Sequence, residues 1–235
     1  GEDGAVDTIS IGGNAVISAN FISEGKLLSL LQTYGYTNAE GELAGDLPDM
    51  IKELDHMAYT FATEFNKVHK DGLSAKELAA WKTALESDPA AKIEDFNEDI
   101  LFFADENNSE PQNVKGFASR IRISDELKES YDYIANASVA TPNDGDASNL
   151  LKLADVFYEK FNYKDALADS SPAAEKESLG AYLQSVIGTL AVKTEQADRL
   201  SVNSATLLQN VSDRRSSVSA VSLDEEMTNM VQFQQ

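Results

Sequence analysis

The sequence predicts a mainly α fold, an elongated long-helix rod or bundle domain with a smaller β-containing (α+β) portion. Three observations carry that expectation. Leu47, Met50, Ile51, Leu54, Met57, Ala58, Phe61, Phe65 and Val68 recur three or four residues apart, the spacing that lines one face of an α-helix. From Ala173 to Val211 there is no proline and the only glycines are Gly180 and Gly188, so nothing in that run forces a helix to stop. Near the N-terminus, apolar and small polar residues instead alternate around Gly12-Gly13, the period of a strand.

Residues 1–46 read as a β-containing segment and a short helix, part of an outer domain. Val6, Ile9, Ile11, Val16 and Ile17 suit a hairpin whose turn the two glycines supply, and Leu27, Leu28, Leu30 and Leu31 make a short apolar helix that Gly35 can end. Residues 47–72 form the long amphipathic helix, ending near Asp71-Gly72. Residues 73–123 are an inserted or variable helix and hairpin region. Within it, Ser74 and Glu77 have capping-box spacing for the helix LAAWKTALES, which stops before Pro89. DILFFAD and VKGFASRIRIS read as strands around the polar turn ENNSEPQN.

Residues 124–172 hold short helices. Ser124 caps DELKESYDYIAN, with Asp125 and Glu126 in the first turn, where carboxylates meet the positive end of the helix dipole. TPNDGDAS is a loop, after which Asp146 or Ser148 opens NLLKLADVFYEKFN. Residues 173–221 are the long rod helix, and the proline-free run from Ala173 to Val211 alone gives roughly 40 helical residues, about 60 Å when unbroken. Its coiled-coil-like seam steps by four and three through Leu183, Ile187, Leu190, Thr194, Ala197, Ser201, Ser204, Leu208, Val211, Arg215 and Val218. Apolar at both ends and small in the middle, it suits close packing against one or two partner helices better than an autonomous zipper. Residues 222–235 begin a truncated terminal helix, with Asp224, Glu225 and Glu226 at its positive end and Leu223, Met227, Met230 and Val231 starting a second apolar stripe.

Charge and composition narrow the function. With 42% hydrophobic and 25% charged residues and only 5 prolines, the chain is an ordered globular one. A formal net charge of −21 repels phosphate backbones and anionic headgroups, so nucleic acid is not an expected partner. No apolar run has the length to span a bilayer, and residues 1–20 lack the basic and hydrophobic regions of a secretory signal, so membrane insertion is not expected. The acidic excess is uneven: residues 176–235 carry 5 basic and 7 acidic side chains, so this tail can approach another helix at little electrostatic cost. Gly1-Glu2-Asp3-Gly4 looks like the edge of an excised domain.

No catalytic, cofactor or metal site is expected. Cysteine is absent, which removes thiolate and disulfide chemistry. His56 and His69 stand on one helix about 20 Å apart, too far to share a metal. His69 suits the satisfaction of carbonyls near a helix end, and His56, beside Glu53 and Asp55, suits a solvated face. Asp144 and Asp146 around Gly145 fit a turn and helix cap, because a calcium loop's closing glutamate is missing. Glu94 with Asp95 and Asp105 with Glu106 fit an acidic surface, and no HExxH, GxSxG or P-loop pattern occurs. Arg214-Arg215 suits interhelical ion pairs or a solvated helix end, and Asn107, Asn136 and Asn210 stand in N-x-Ser/Thr sequons.

The stretch VSLDEEMTNMVQFQQ, Val221 to Gln235, closely resembles the C-terminal signature of the flagellar rod, hook and hook-associated protein family, V-N-L-D-E-E-M-x-N-L-x-x-F-Q-Q. Ser222 replaces the usual asparagine and Met230 a leucine or isoleucine. Four more stretches resemble, in order, the C-terminal half of the family's hook–filament junction branch: ISEGKLLSLLQT at 22–33, LDHMAYTFATEFNKVHKDGL at 54–73, IRISDELKESYDYIANAS at 121–138 and DGDASNLLKLADV at 144–156. Residues 73–101 fit that pattern poorly. In the family, residues beyond the FQQ finish the terminal helix and an N-terminal helix pairs with it, so this chain is expected to lack the innermost layer and to behave as a monomer.

The resemblance implies a noncatalytic, secreted structural subunit, exported unfolded by the type III apparatus and placed at the hook–filament junction. Its implied partners are other copies of itself, the hook protein, a second junction protein and a dedicated export chaperone on the C-terminal helix. Contacts are expected from Leu183 to Val218 and from the stripe that starts at Leu223. Two alternatives stand beside it: another axial protein, of the hook or filament tip, or a secreted surface-binding or hydrolase module within residues 73–123.

Overall fold

The computed structural model describes residues 6, 8–11, 14–17, 26–38, 41–140, 142–163, 176–219 and 223–234. These are mainly helical, and their strands form only two-stranded antiparallel sheets. The chain divides into two units, Gly1–Ile187 and Gly188–Gln235.

In the first unit, β1 (Thr8–Ile11) and β2 (Asn14–Ile17) pair antiparallel with Ile9 opposite Val16, as the alternation predicts; the Gly12-Gly13 turn lies outside the described residues. Helix α1 (Lys26–Tyr34) ends at Gly35, whose φ of 107° is open to glycine and whose N–H donates to the Leu31 carbonyl at 2.9 Å. Strands β3 (Tyr36–Thr37) and β4 (Leu43–Ala44) then turn the chain into α2 (Asp46–Lys70). Asp46 and Asp49 occupy the first turn of α2 and Lys67 and Lys70 the last, so both ends complement the helix dipole.

The apolar stripe of α2 builds two clusters. Tyr59 and Ala62 pack on Phe117, while Phe65 packs with Leu153 and Val156 among the rings of Phe61, Phe102, Phe103 and Phe157. Phe65 and Phe102 have ring centroids 4.7 Å apart in a tilted arrangement, a geometry favourable beyond its buried area. After β5 (Gly72–Ser74), helix α3 (Ala75–Ser87) opens with the predicted capping box. The Ser74 hydroxyl accepts from the Glu77 N–H at 3.2 Å, and the Glu77 carboxylate accepts from the Ser74 N–H at 2.7 Å. Leu73, Leu78, Ile93 and Ala137 form a third cluster, covered by Trp81 and Val139.

Three expectations need correction between residues 99 and 162. The stretches expected as strands contribute only β6 (Phe103–Ala104) and β7 (Arg122–Ile123), and Phe117–Arg120 between them is a helical turn, α4. The Asp55 carboxylate forces that turn by accepting from the N–H groups of Gly116 and Ala118 at 2.6 and 2.8 Å.

Helix α5 runs only from Asp125 to Glu129, and its N-terminal amide at Asp125 donates to the Asn108 side chain at 2.8 Å, whereas the Ser124 hydroxyl makes no capping bond. A 3₁₀ turn follows at Tyr131–Tyr133, where the Ser130 hydroxyl accepts from the Asp132 N–H. Ala135 and Asn136, the end of the expected helix, instead open β8 (Ala135–Ser138), paired with β5.

Helix α6 (Ser148–Asp155) stops before VFYEKFN, because Val156 and Phe161 are drawn into the Phe65 cluster and Phe157 against its rings. Asp146 is the residue that opens α6: its carboxylate accepts from the N–H of Ser148 at 2.9 Å and from that of Ser138 at 2.8 Å. Strand β9 (Lys160–Phe161) pairs with β10 (Glu177–Ser178), which leads into α7 (Leu179–Ser219); α8 (Leu223–Phe233) follows.

Candidate subunit interface

The base of α7 belongs to the first unit. Tyr182 is buried there, its hydroxyl donating to the Glu53 carboxylate of α2 and its ring lying 4.8 Å from that of Tyr163. Burial, together with the Glu53 carboxylate, pushes the Tyr182 pKa up, and burial alone pushes Tyr163 up to about 12; both stay neutral at physiological pH. Of the expected interface residues, Leu183 and Ile187 follow within this unit, both exposed.

The second unit carries the rest. Every described side chain of α7 from Ala191 to Val218 is exposed, including Leu208 at 73% and Val211 at 63%, while Leu190 is half-buried. On α8, Met227, Met230 and Val231 are exposed too, and the Leu223 side chain lies outside the described residues. These side chains leave apolar surface uncovered on both helices.

Polar residues along α7 do not obstruct that surface. The Thr194 hydroxyl donates to the Leu190 carbonyl at 2.8 Å and the Thr206 hydroxyl to the Val202 carbonyl at 2.9 Å, so neither needs an outside partner. The Glu195–Arg199 pair, 3.9 Å apart and exposed, adds at most a few tenths of a kcal/mol.

Sequence reasoning missed part of the surface. Leu200 and Leu207 are also exposed, and with Val211 and Val218 they step by seven, four and seven along a second row beside the first. That spacing was readable and broadens the apolar face of the C-terminal half of α7. Phe233, 91% exposed, extends the stripe of α8.

Within residues 73–123, the carboxylates of Glu77 and Asp105 sit in structural holds. Glu77 closes the capping box and also accepts from the Glu98 N–H at 2.7 Å; Asp105 pairs with the Arg120 guanidinium at 2.8 Å. Hydrogen bonding from Arg120 holds the Asp105 carboxyl below its ordinary range, opposite to what a general acid requires. Glu94 and Asp95 lie exposed on a 3₁₀ turn. Asp55 and His69 depart from expectation: both are buried, Asp55 on the amides of α4 and His69 between the Ile100 carbonyl and the Ala135 amide rather than at its own helix end. Among the described residues no group of three His, Cys, Asp or Glu could hold a metal ion, and no helix is long and apolar enough to cross a membrane.

The described residues thus form a helical scaffold whose buried carboxylates hold loops and whose apolar surplus is displayed on α7 and α8. Residues 2–80 match the family model "Flagellar hook-associated protein FlgK helical domain". The chain is 35% identical over 234 residues to flagellar hook-associated protein 1 of Bacillus subtilis (strain 168), a match covering 99% of this chain and 40% of that relative. The similarity runs along the whole of this chain, which spans about 40% of that relative's length. No solved structure matches it.

Proposed function

We propose that the chain is part of a noncatalytic structural subunit at the junction between flagellar hook and filament. The observation that carries this reading is the 35% identity to hook-associated protein 1 along 99% of the chain. The contact surface the role requires comes from Leu183, Ile187, Leu208, Val211 and Val218, exposed on α7 beside half-buried Leu190, and from Met227, Met230 and Val231, exposed on α8, whose stripe begins in sequence at Leu223. They face other copies of the subunit, the hook protein and a second junction protein. Before assembly, an export chaperone covers the C-terminal helix while the subunit is secreted by the type III route.

The test is complementation of a deletion strain by the full-length parent protein carrying Leu208→Glu and Val211→Glu. Both side chains are exposed, so the isolated chain should keep its unfolding midpoint, within about 0.5 kcal/mol. Cells should retain hooks, lose filaments and release flagellin into the medium. Normal filaments in the deletion strain itself would overturn the junction role. Normal filaments only with the double variant would remove these two residues from the interface.

A further inference from the structure

Neither the scaffold role nor the interface uses the imidazole of His69, which is only 2% exposed. Its Nε2 lies 3.0 Å from the backbone N of Ala135 and its Nδ1 2.9 Å from the carbonyl oxygen of Ile100. A backbone N–H can only donate, so Nε2 carries no proton. The single ring proton therefore sits on Nδ1 and donates to Ile100. One side chain thus ties α2 to two segments, 31 and 66 residues further along the chain.

We infer that His69 is a proton-operated latch: protonation of Nε2 sets two donors against each other at Ala135 and releases β8 from α2. Ala135 is the point at which release matters. It stands opposite Ser74 in the β5–β8 pair, its carbonyl accepts from the Asn149 amide at 2.9 Å, and Ser74 in turn caps α3. A break at Ala135 therefore loosens the β5–β8 pair first.

The surroundings oppose protonation without preventing it. Burial lowers the His69 pKa; the Ile100 carbonyl and the Glu77 carboxylate of α3 pull it back up. From the segment before β6 come the Ile100 carbonyl and the edge of the Phe102 ring, and from β8 and α6 only uncharged groups, Ala135 and Asn149. On α2 itself, neighbouring Lys70 is committed to Glu110 at 2.8 Å. Because the folded-state pKa lies below the unfolded one, the latch contributes in full above about pH 6.5 and its contribution falls as pH drops toward the folded value.

Nitrogen-15 NMR of the histidines in the whole chain, with His56→Gln for assignment, tests the latch alongside hydrogen exchange from pH 7.5 to 4.5. Exchange is expressed as protection relative to the unstructured amide. Expected are the Nδ1–H tautomer at neutral pH and a His69 titration below the ordinary imidazole value of about 6.5. As His69 titrates, protection at Ala135 and Ser74 should fall by about tenfold per pH unit, ahead of amides in the middle of α2. An Nε2–H tautomer, titration with unchanged Ala135 protection, or no titration before global unfolding would each overturn the inference.

Discussion

Asp55, Asn66 and His69 occupy the inner side of α2, and each holds backbone that lies far away in sequence. The Asn66 side chain accepts from the N–H groups of Phe102 and Phe103 at 3.0 and 2.8 Å and donates to the Phe103 carbonyl at 2.7 Å, standing in for a missing neighbouring strand. Asp55→Ala should cost about 2 kcal/mol in urea unfolding, since it leaves the part-buried amides of Gly116 and Ala118 without their charged acceptor. The Asp105 and Asp146 carboxyls, held low by Arg120 and by backbone amides respectively, add stability above about pH 4 that is lost as pH falls through their folded values. In an acid titration of stability, Asp146→Asn should therefore flatten the curve below about pH 4 and leave the region near pH 6 unchanged. Of these roles only that of Asp146 at the start of α6 was legible beforehand. The partners of Asp55 lie 61 and 63 residues away, so Glu53, Asp55 and His56 look like a solvated face when read by local spacing.

At the scale of elements, local chemistry was readable and long-range demands were not. Ser74 and Glu77 are three residues apart, Gly35 directly follows its helix, and the stripe of α2 repeats often enough to define the helix; all three are visible in the structure. The segments after Ser124 and after Ser148 carry helix-compatible patterns too, yet β8 and the turn after α6 override them. There Asn149 and His69 bind the backbone of Ala135, and Val156 enters the Phe65 cluster. Gly72 shows how tight this junction is: a Cβ there would overlap the Asn149 side-chain amide, which also holds the Val68 carbonyl at 3.1 Å. Gly72→Ala should lower stability by about 1–3 kcal/mol. It should also release the amide protection of β8 before that of α3, as measured by hydrogen exchange.

For the molecule as a whole, the two units should melt differently. Gly188–Gln235 contains no tryptophan or tyrosine, so near-ultraviolet dichroism reports only on the unit that holds Trp81 and the tyrosines. The exposed helices of the second unit lack a described core, and such helices lose structure gradually. Far-ultraviolet helicity should thus decline over a broad range below the sharp near-ultraviolet transition; coincident curves would show one cooperative unit instead. Legibility at this scale was asymmetric. The proline-free run announced α7 and its seam, while the second row through Leu200 and Leu207 passed unnoticed among serines and valines. The pairing of Tyr182 with Glu53 and Tyr163 bears, finally, on the order of synthesis. Glu53 and Tyr163 leave the ribosome before the tyrosine that covers them, so a nascent chain halted short of residue 182 carries an unfinished core. The same dependence makes α7 the timekeeper of the first unit: its opening turns must arrive before the earlier residues can settle.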